Sequence, residues 1–384
     1  MGMIDDILKK KEREWNCPTL MSGATNTDAP KIPFSSPLLN WATYGGIPRG
    51  RITEFAGEPS SGKSTTSVDI CKNAIKLFES EFESECDALR KKASQGDKTA
   101  ANALEDLIDR GPKQVLYIDI EHGFDAAWAR TLGIDESKIL IMQPPDIDAE
   151  SLLQTIEDLV CSGELGLCVL DSIPTLVTKA ELEKKYGERT VASLAGLMTV
   201  FCRKIVSLLT RYDSTLLLIN QTRDNMDNPY VISTPGGKAV KFYSSLRMMF
   251  RLGSPLDFLG NDLPASAESP AGYNVTVKLL KQKTAPFDRK NAKYILMCQS
   301  GIRPDFDYAK LAINNYHRIQ KGGAWFTFLD IKTGEPLEIN GKLAKVNGMA
   351  RVYEFLQQNQ EYFQELKEYI DANIKGSDIG DEYA

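Results

Sequence analysis

The chain has 384 residues, of which 42% are hydrophobic and 26% are charged, a composition typical of a globular protein with one large domain or two medium ones. No apolar run approaches the roughly 20 residues of a membrane span, and no apolar segment follows the charged residues near the N-terminus as a secretory signal requires, so we expect no membrane partner and predict a cytoplasmic location. The formal net charge of −6 argues against a nucleic-acid partner only if the charges are evenly distributed.

The first 36 residues form a segment of mixed character. A short amphipathic piece comes first, a basic run over 9–13 follows, and the rest is polar and ends in prolines. We interpret residues 1–36 as an N-terminal arm, a short helix on a poorly ordered leader. Packing on a neighbouring subunit and a frayed terminus without a role both fit this pattern.

Residues 37–300 have the pattern of an α/β core. Short apolar runs alternate with helical periods, at 52–56, 115–120, 139–142, 167–170, 216–219, 246–250 and 275–280. Several runs are apolar throughout, as in strands covered by helices on both faces, and the alternation predicts an α/β domain with a largely parallel sheet. The charged segment 79–110 interrupts this pattern and predicts one or two surface helices inserted between the first core helix and the strand beginning at Val115.

The remainder divides into a small C-terminal α/β domain over 301–375 and an acidic tail over 376–384. A helical piece over 308–313 precedes a predicted hairpin strand over 322–328. Apolar residues at helical spacing then predict one amphipathic helix over 350–370. The tail carries three acids and has little else to fold with.

A glycine-rich motif follows the first apolar run. The residues GEPSSGKS fit GxxxxGK[ST], and a helical period begins directly after them, which is the strand, loop and helix order of a phosphate-binding loop. Backbone N–H groups would surround the phosphates, Lys63 would bring charge to the β and γ oxygens, and Ser64 would bind Mg²⁺. The motif predicts nucleoside triphosphate binding by Gly57, Glu58, Pro59, Ser60, Ser61, Gly62, Lys63, Ser64 and the adjacent Thr65.

Three further apolar runs lead into side chains that suit this chemistry. One is followed by Asp171, a carboxylate placed to hold the Mg²⁺ water shell. Another leads to Glu121, our candidate for the base that positions water, with Asp119 on the same strand as a competitor. A third ends in Asn220 and Gln221, where an uncharged amide could bond the γ-phosphate and report its presence to the segment that follows.

A polar segment over 222–235 comes next, and the residues GGK over 236–238 close it. Such a loop has no reason to be buried, and glycine N–H groups followed by a lysine suit contacts with a nucleic-acid backbone. An ordinary surface loop is the alternative interpretation.

The order of these motifs resembles that of RecA-type recombinases. The segments GEPSSGKST, YIDIEHGFDAAWARTLGID, VLDSIPTL, LLINQTR, TPGGKAVKFYSSLR and VKLLKQKTAPF follow in the family's order, with 79–110 as the main gap. The resemblance implies an α/β fold with a RecA-like P-loop ATPase core. It also implies a DNA-dependent ATPase that uses ATP and Mg²⁺, forms helical filaments on single-stranded DNA, pairs that strand with homologous duplex DNA and exchanges strands.

The resemblance also assigns catalytic roles by position. Glu121 matches the glutamate that activates water, acting beside Lys63 of the phosphate loop, and Asp171 matches the Mg²⁺-coordinating aspartate. Gln221 matches the glutamine that couples the γ-phosphate to the second DNA-binding loop.

Further matches concern the nucleotide base and the neighbouring subunit. Trp128 stands where the family has a tyrosine that stacks on adenine, and Asp125 completes the predicted nucleotide-binding set. Lys281 and Lys283 match two lysines that reach across the filament interface to the neighbour's phosphates. Each ATP would then lie between two subunits, so that filament assembly and nucleotide state form one equilibrium.

The resemblance also assigns a set of DNA contacts. Arg203 matches a phosphate-contacting arginine, Thr199 a contacting serine, and Gly236 and Gly237 the paired backbone donors, while Lys238 replaces a contacting asparagine. The remaining predicted contacts are Val191 in the first loop and Arg223, Met226 and Tyr230 in the second.

Two departures from the family pattern are visible. Gly196 stands where the family usually has a second DNA-contacting arginine, so the first loop is electrostatically weaker. The usual long N-terminal packing helix is poorly matched. Such divergence is more typical of a phage-encoded recombinase than of a bacterial housekeeping one.

Two alternatives to a strand-exchange filament stay open: a RecA-fold motor such as a ring helicase or repair ATPase, and a non-catalytic filament regulator. The charge distribution favours a DNA partner. Residues 196–293 hold 14 Lys plus Arg against 7 Asp plus Glu, a net of +7, so that the rest of the chain carries −13. The chain therefore has a negative net charge but contains a strongly basic segment.

Overall fold

The computed structural model describes residues 6–7, 10–11, 29–145, 147–185, 193–222, 234–374 and 379. A short hairpin comes first, formed by β1 (Lys31–Ile32) and β2 (Ile47–Pro48). Nine further strands of the described residues form one large sheet: β3 (Ile52–Gly57), β4 (Gln114–Asp119), β5 (Leu140–Met142), β6 (Leu165–Asp171), β7 (Thr215–Gln221), β8 (Leu246–Leu256), β9 (Gly272–Gln282), β10 (Asn291–Met297) and β11 (Gly301–Ile302).

The large sheet is parallel over most of its width. Its strand order is β11-β10-β9-β8-β3-β7-β6-β4-β5. All neighbours from β8 to β5 run parallel, whereas β9, β10 and β11 continue the sheet in antiparallel fashion. The predicted mostly parallel sheet is confirmed. The apolar runs used for the prediction did not include β10, although residues 294–297 of this strand are apolar throughout.

Helices cover both faces of this sheet and complete the core: α1 (Pro37–Thr43), α2 (Lys63–Ser94), α3 (Lys98–Arg110), α4 (Ala126–Thr131), α5 (Ala149–Cys161), α6 (Lys179–Leu182), α7 (Ser193–Tyr212), α8 (Gly237–Tyr243), α9 (Pro304–Asn314), α10 (Met349–Gln358) and α11 (Gln360–Ile374). One apolar cluster joins the sheet to α5 and α7, and a second joins the opposite face to α1, α2 and the C-terminal helices. Parallel strands covered on both faces leave only their ends open to solvent.

The predicted insertion over 79–110 needs correction. The first core helix does not stop near Glu79, because α2 runs unbroken for 32 residues to Ser94. Residues 79–94 therefore lengthen the core helix, and α3 packs back against them as a helical hairpin with Cys86 and Leu107 buried in its seam. Most other side chains of the hairpin are exposed, as expected for charged surface helices.

The predicted poorly ordered leader is wrong for its last residues. Ile32 and Phe34 are buried in the core. Ser35 donates to Asp69 of α2 from its backbone nitrogen at 2.8 Å and from its hydroxyl at 2.5 Å. These hydrogen bonds fix the chain before α1 against the first core helix. Most of the preceding part of the arm lies outside the described residues.

The described part of the region over 301–375 contains small sheets and three helices, α9, α10 and α11. Its strands are β12 (Ile319–Gly322), β13 (Trp325–Phe328), β14 (Glu338–Ile339), β15 (Lys342–Leu343) and β16 (Lys345–Asn347), and β12 with β13 forms the predicted hairpin. The single predicted helix over 350–370 is wrong, because Asn359 separates α10 from α11. Asn359 has φ −112° and ψ 70°, outside the helical region, so α10 ends there, and its side-chain nitrogen donates to the Phe355 carbonyl at 2.8 Å.

Two sequence predictions concern larger features. Within the described ranges, no helix combines the length and the apolar character that crossing a membrane requires. The division into a core over 37–300 and a domain over 301–375 stays a prediction. Apolar residues of both parts belong to one continuous cluster, in which α9 packs on α1 and β10.

Candidate functional site

The phosphate loop joins β3 to α2, and the backbone conformations of its own residues determine its shape. Ser60 and Gly62 adopt left-handed conformations, with φ of 59° and 91°, so the loop curls around the first N–H groups of α2 as an anion-binding nest does. Lys63 Nζ donates to the carbonyl oxygens of Gly57 at 3.0 Å and Glu58 at 2.6 Å. Burial lowers the pKa of Lys63. The concave loop and its buried ammonium suit a bound phosphate chain.

Strand β10 supports the loop from behind. A Cβ atom on Gly62 would lie 2.9 Å from Leu296 Cδ2 and 3.2 Å from the Tyr294 hydroxyl oxygen. The same hydroxyl lies 2.7 Å from Thr66 Oγ1 in the first turn of α2. Glycine is therefore required at 62 both by its conformation and by the close approach of this strand.

Asp171 lies at the carboxyl end of β6, directly beside the start of α2. Its Oδ2 accepts hydrogen bonds from Ser64 Oγ at 2.9 Å and from the Tyr117 hydroxyl at 2.6 Å. Burial raises the pKa of Asp171, and these two hydrogen bonds oppose that rise. The structure thus brings together the two residues predicted to bind Mg²⁺, and two oxygen ligands suit an ion that takes its remaining ligands from phosphate and water.

Glu121 faces the same cleft from the end of β4. Its Oε1 accepts from Ser172 Oγ at 2.5 Å and from Gln221 Nε2 at 3.0 Å. The Glu121 side chain is otherwise exposed. Since Gln221 pairs with Gly57 in the sheet register, the candidate base, the candidate coupling amide and the phosphate loop are neighbours.

The competing carboxylate, Asp119, has a different role. It is buried, and its two oxygens accept from the backbone nitrogens of Gly123 at 3.2 Å and Phe124 at 2.8 Å. Gln143 Nε2 donates to the same group at 2.8 Å. Asp119 therefore shapes the loop after β4, and Glu121 is the carboxylate available to water.

The residues predicted near the nucleotide base lie on or beside α4. Asp125 caps this helix by accepting from the backbone nitrogen of Trp128 at 3.1 Å. The Trp128 side chain is half-buried. Leu132 and Thr65 both approach Gly301, which places the end of α4 beside the first turn of α2. Stacking of Trp128 on adenine stays a prediction.

The described DNA-contact candidates form one line along α7 and α8. Thr199 and Arg203 are four residues apart on α7, so they share a helix face with Ala195, and both are exposed. Gly237 lies against Ala195, since a Cβ atom on Gly237 would come within 2.9 Å of the Ala195 Cβ. Lys238 is exposed one residue further on. The remaining candidates, Val191, Arg223, Met226 and Tyr230, lie outside the described residues.

Lys281 and Lys283 lie at the other end of the sheet from the phosphate loop. Lys281 pairs with Arg247 near the start of β8, and Lys283 bonds the chain just before β8. Arg247 lies beside Glu54 of β3, which is three residues, or about 10 Å at 3.3 Å per residue, before Gly57. Lys281 Nζ donates to the carbonyl oxygens of Lys241 at 2.8 Å and Phe242 at 2.6 Å. Neither lysine therefore reaches the phosphate loop of its own chain.

Comparison with known proteins identifies the family. The family model described as the RecA N-terminal domain matches residues 91–303. Protein RecA from Clostridium acetobutylicum is 33% identical over 303 residues, covering 78% of this chain and 73% of that protein. The chain belongs to the RecA family. Protein RecA from Thermus aquaticus is 30% identical over 370 residues, which span 95% of this chain and 92% of the relative.

A solved structure was also found by comparison of folds. The RadB recombinase has a TM-score of 0.45 and 14% sequence identity, and the match covers 71% of this chain and 98% of that one.

Sequence reasoning missed several residues of this RecA-family site. Tyr117 bonds Asp171, and Ser172 bonds Glu121. Tyr117, Asp119 and Glu121 alternate along β4, and this spacing of two could have indicated that they share one side of the sheet. Phe242 is 70% exposed, and its ring lies under both Lys281 and Lys283 at 5.8 and 5.6 Å. No pattern in the sequence marks that contact.

The proximity of Lys281 and Lys283 predicts a measurable change in the pKa of Lys281 when Lys283 is replaced. Desolvation, together with the charges of Lys283 and Arg247, lowers the pKa of Lys281 to about 8. We expect Lys283→Ala to raise the pKa of Lys281, because one repelling charge is removed. The measurement is an NMR titration of isotope-labelled lysine side chains. Lys278→Ala on the same strand is the control and should leave the titration unchanged; equal shifts in both variants would contradict the assignment.

Proposed function

We propose that this RecA-family recombinase binds ATP with Mg²⁺, polymerises on single-stranded DNA, and couples ATP hydrolysis to pairing and exchange with homologous duplex DNA. The observation that carries the proposal is the hydrogen bond between Glu121 and Gln221. It joins the carboxylate that would activate water to the residue from which the chain enters the second DNA loop. The cytoplasmic location expected from the sequence stays a prediction.

The residues around the phosphate loop fit a nucleoside triphosphate. The N–H groups of the loop and of the first turn of α2 would bind the phosphate oxygens, with Lys63 adding a positive charge. Ser64 and Asp171, already 2.9 Å apart, would hold Mg²⁺. The bound ion would neutralise negative charge that develops on the phosphoryl oxygens.

Glu121 would act as the general base. Its exposed carboxylate accepts hydrogen bonds from Ser172 and Gln221 on one oxygen. The other oxygen, which accepts none from the residues that the structure describes, would orient a water molecule and take its proton. A movement of Gln221 towards the γ-phosphate would change the hydrogen bonding of Glu121. Contacts made by the second loop would reach the catalytic carboxylate through this single side chain.

The DNA-binding proposal rests on the line of Gly237, Thr199 and Arg203. Backbone N–H groups at the N-terminus of α8 would bind phosphate oxygens, and Arg203 would contribute the charge. The basic segment 196–293 supports the same face.

Filament formation follows from the placement of Lys281 and Lys283. Because both lie at the far end of the sheet from their own phosphate loop, their proposed contact with nucleotide needs a neighbouring copy. A head-to-tail contact of this kind repeats from copy to copy and produces a filament unless the rotation closes into a ring.

Replacing the catalytic carboxylate tests the hydrolytic part of the proposal. We expect Glu121→Gln to lose ATP turnover by more than about 100-fold, because an amide does not accept the proton from water. ATP binding and filaments on single-stranded DNA, seen by electron microscopy, should persist. Glu136→Gln, an exposed glutamate paired with Arg130, is the control. Unchanged turnover in Glu121→Gln would remove Glu121 from the mechanism, and closed rings would favour a helicase.

Removing one positive charge tests the DNA face. We expect Arg203→Ala to weaken single-stranded DNA binding and to reduce the slope of log affinity against log salt by about 0.7 to 1 unit, since one phosphate contact is lost. The neighbouring Lys204 pairs with Glu157 at 2.8 Å, and Lys204→Ala should leave the slope unchanged. Equal slopes in wild type and Arg203→Ala would place the DNA elsewhere.

A further inference from the structure

A buried polar network crosses the sheet beneath α8. At its centre is Glu54, in the middle of β3 and 0% exposed. The Glu54 carboxylate pairs with the Arg247 guanidinium on one side and accepts from Asn220 Nδ2 at 2.8 Å on the other. A carboxylate buried among apolar residues is costly unless it is fully paired, so these two partners are what keep the charge in place.

One end of the network holds the second DNA loop. Asn220 Nδ2 also donates to the carbonyl oxygen of Pro235 at 3.0 Å, where the chain returns from that loop. The backbone nitrogen of Thr222 donates to the Gly57 carbonyl at 3.2 Å where the chain departs. The chain is therefore hydrogen-bonded to β3 where it enters the loop and to β7 where it leaves the loop, at the level of the phosphate loop.

The other end of the network lies at the proposed subunit contact. Arg247 is the sheet partner of Lys281, and its charge acts on the Lys281 ammonium. Lys281 donates to the last carbonyls of α8. Helix α8 is seven residues long and begins directly after Pro235 and Gly236. The helix is consequently bonded at both ends. Asn220, which bonds Glu54, holds the chain that enters the helix, and Lys281, the sheet partner of Arg247, holds its last turn.

The network has unused hydrogen-bonding capacity where it meets the loop. Asn220 Oδ1 and Thr234 Oγ1 are buried, and neither has a hydrogen-bond partner within the described part of the chain. Leaving such groups unpaired is unfavourable. A second arrangement of the chain at 234–235 that paired them would therefore compete with the present one, which is the property of an element with two states.

We propose that Glu54, Asn220 and Arg247 form a positioning relay that couples DNA contact at Gly236 and Gly237 to the lysine pair at the subunit contact, an inference that rests on the function proposed above. Glu54 and Asn220 are 0% exposed, and the Asn220 amide nitrogen bonds Glu54 and Pro235, so Gln221, and not Asn220, is the amide at the end of β7 that could bond the γ-phosphate. The relay connects the chain that enters α8 to Lys281, whose ammonium bonds the last turn of α8. A displacement of Pro235 on DNA binding would act on Asn220, then on the Glu54 pair, and then on Lys281 at the neighbouring subunit's ATP.

The test separates coupling from stability. Asn220→Ala removes the link to Pro235, and Glu54→Gln weakens the link to Arg247 while keeping the side-chain shape. Ser214→Ala is the matched control, because Ser214 is fully buried immediately before β7 and its hydroxyl donates to the Leu165 carbonyl at 2.5 Å, away from the loop. Turnover of ATP by the full chain is measured with and without a single-stranded oligonucleotide, together with the KM for ATP.

In the Asn220→Ala variant we expect turnover without DNA and the KM for ATP to stay within about twofold of wild type, while stimulation by DNA falls about tenfold, a typical size for coupling between sites. Glu54→Gln should show a loss of the same kind, and the double variant should lose no more than Asn220→Ala alone, because both changes interrupt one path. Ser214→Ala should keep full stimulation.

Three results would overturn the relay. Stimulation in Asn220→Ala equal to that in Ser214→Ala would reduce the network to a structural role, and fully additive losses in the double variant would show two separate effects. Glu54→Gln decides the question in the same way if Asn220→Ala does not fold. Wild-type protein without any stimulation by DNA would refute the proposed function itself, and the relay with it.

Discussion

The direction of the parallel strands is the constraint on which the rest of the structure depends. The carboxyl ends of four parallel strands carry the groups that would meet the nucleotide within one copy. These are the phosphate loop after β3, Glu121 after β4, Asp171 at the end of β6 and Gln221 at the end of β7, so they lie along one edge of the sheet. Lys281 and Lys283 lie at the opposite edge because β9 runs antiparallel to β8. If the two lysines bind the neighbour's phosphates as proposed, each copy supplies two different halves of the nucleotide site, and a complete site needs two copies.

This separation also explains why a charge is buried in the middle of the sheet. Replacing a buried ion pair by apolar residues is often neutral or stabilising, so stability alone gives little reason for Glu54 and Arg247 to be charged. Their positions supply a different reason. Glu54 bonds Asn220, and Arg247 is the sheet partner of Lys281, so the ion pair lies between the two residues that bond the opposite ends of α8.

Much of this arrangement could be predicted from the sequence, because local patterns determine it. The motif GEPSSGKS and the apolar runs before Asp171 and Glu121 are short-range signals, and the parallel sheet they predicted is present. Contacts between residues that are distant in the chain could not be predicted. The choice between Asp119 and Glu121 is decided by the backbone of Gly123 and Phe124. The contacts of Asn220 with Glu54 and Pro235 are equally invisible to periodicity.

Errors in the predicted elements have the same origin. The helical pattern after Lys63 contains no breaker before Gly96, and charge alone suggested an insertion near Glu79 where the helix simply continues. Conversely, the apolar pattern over 350–370 is continuous, and the non-helical backbone conformation of Asn359 shows where one helix ends. Composition predicts which face of an element is exposed to solvent better than it predicts the residues at which the element begins and ends.

The most direct test of a site shared between copies mixes two inactive proteins. One carries Lys63→Ala and the other carries Lys281→Ala with Lys283→Ala, so each lacks a different half-site. Random mixing in a filament restores both halves at about a quarter of the contacts, because each contact takes its halves from different subunits. We predict that DNA-stimulated ATP turnover of the equimolar mixture rises to about that fraction of wild type. A mixture no more active than either protein alone would contradict a shared site.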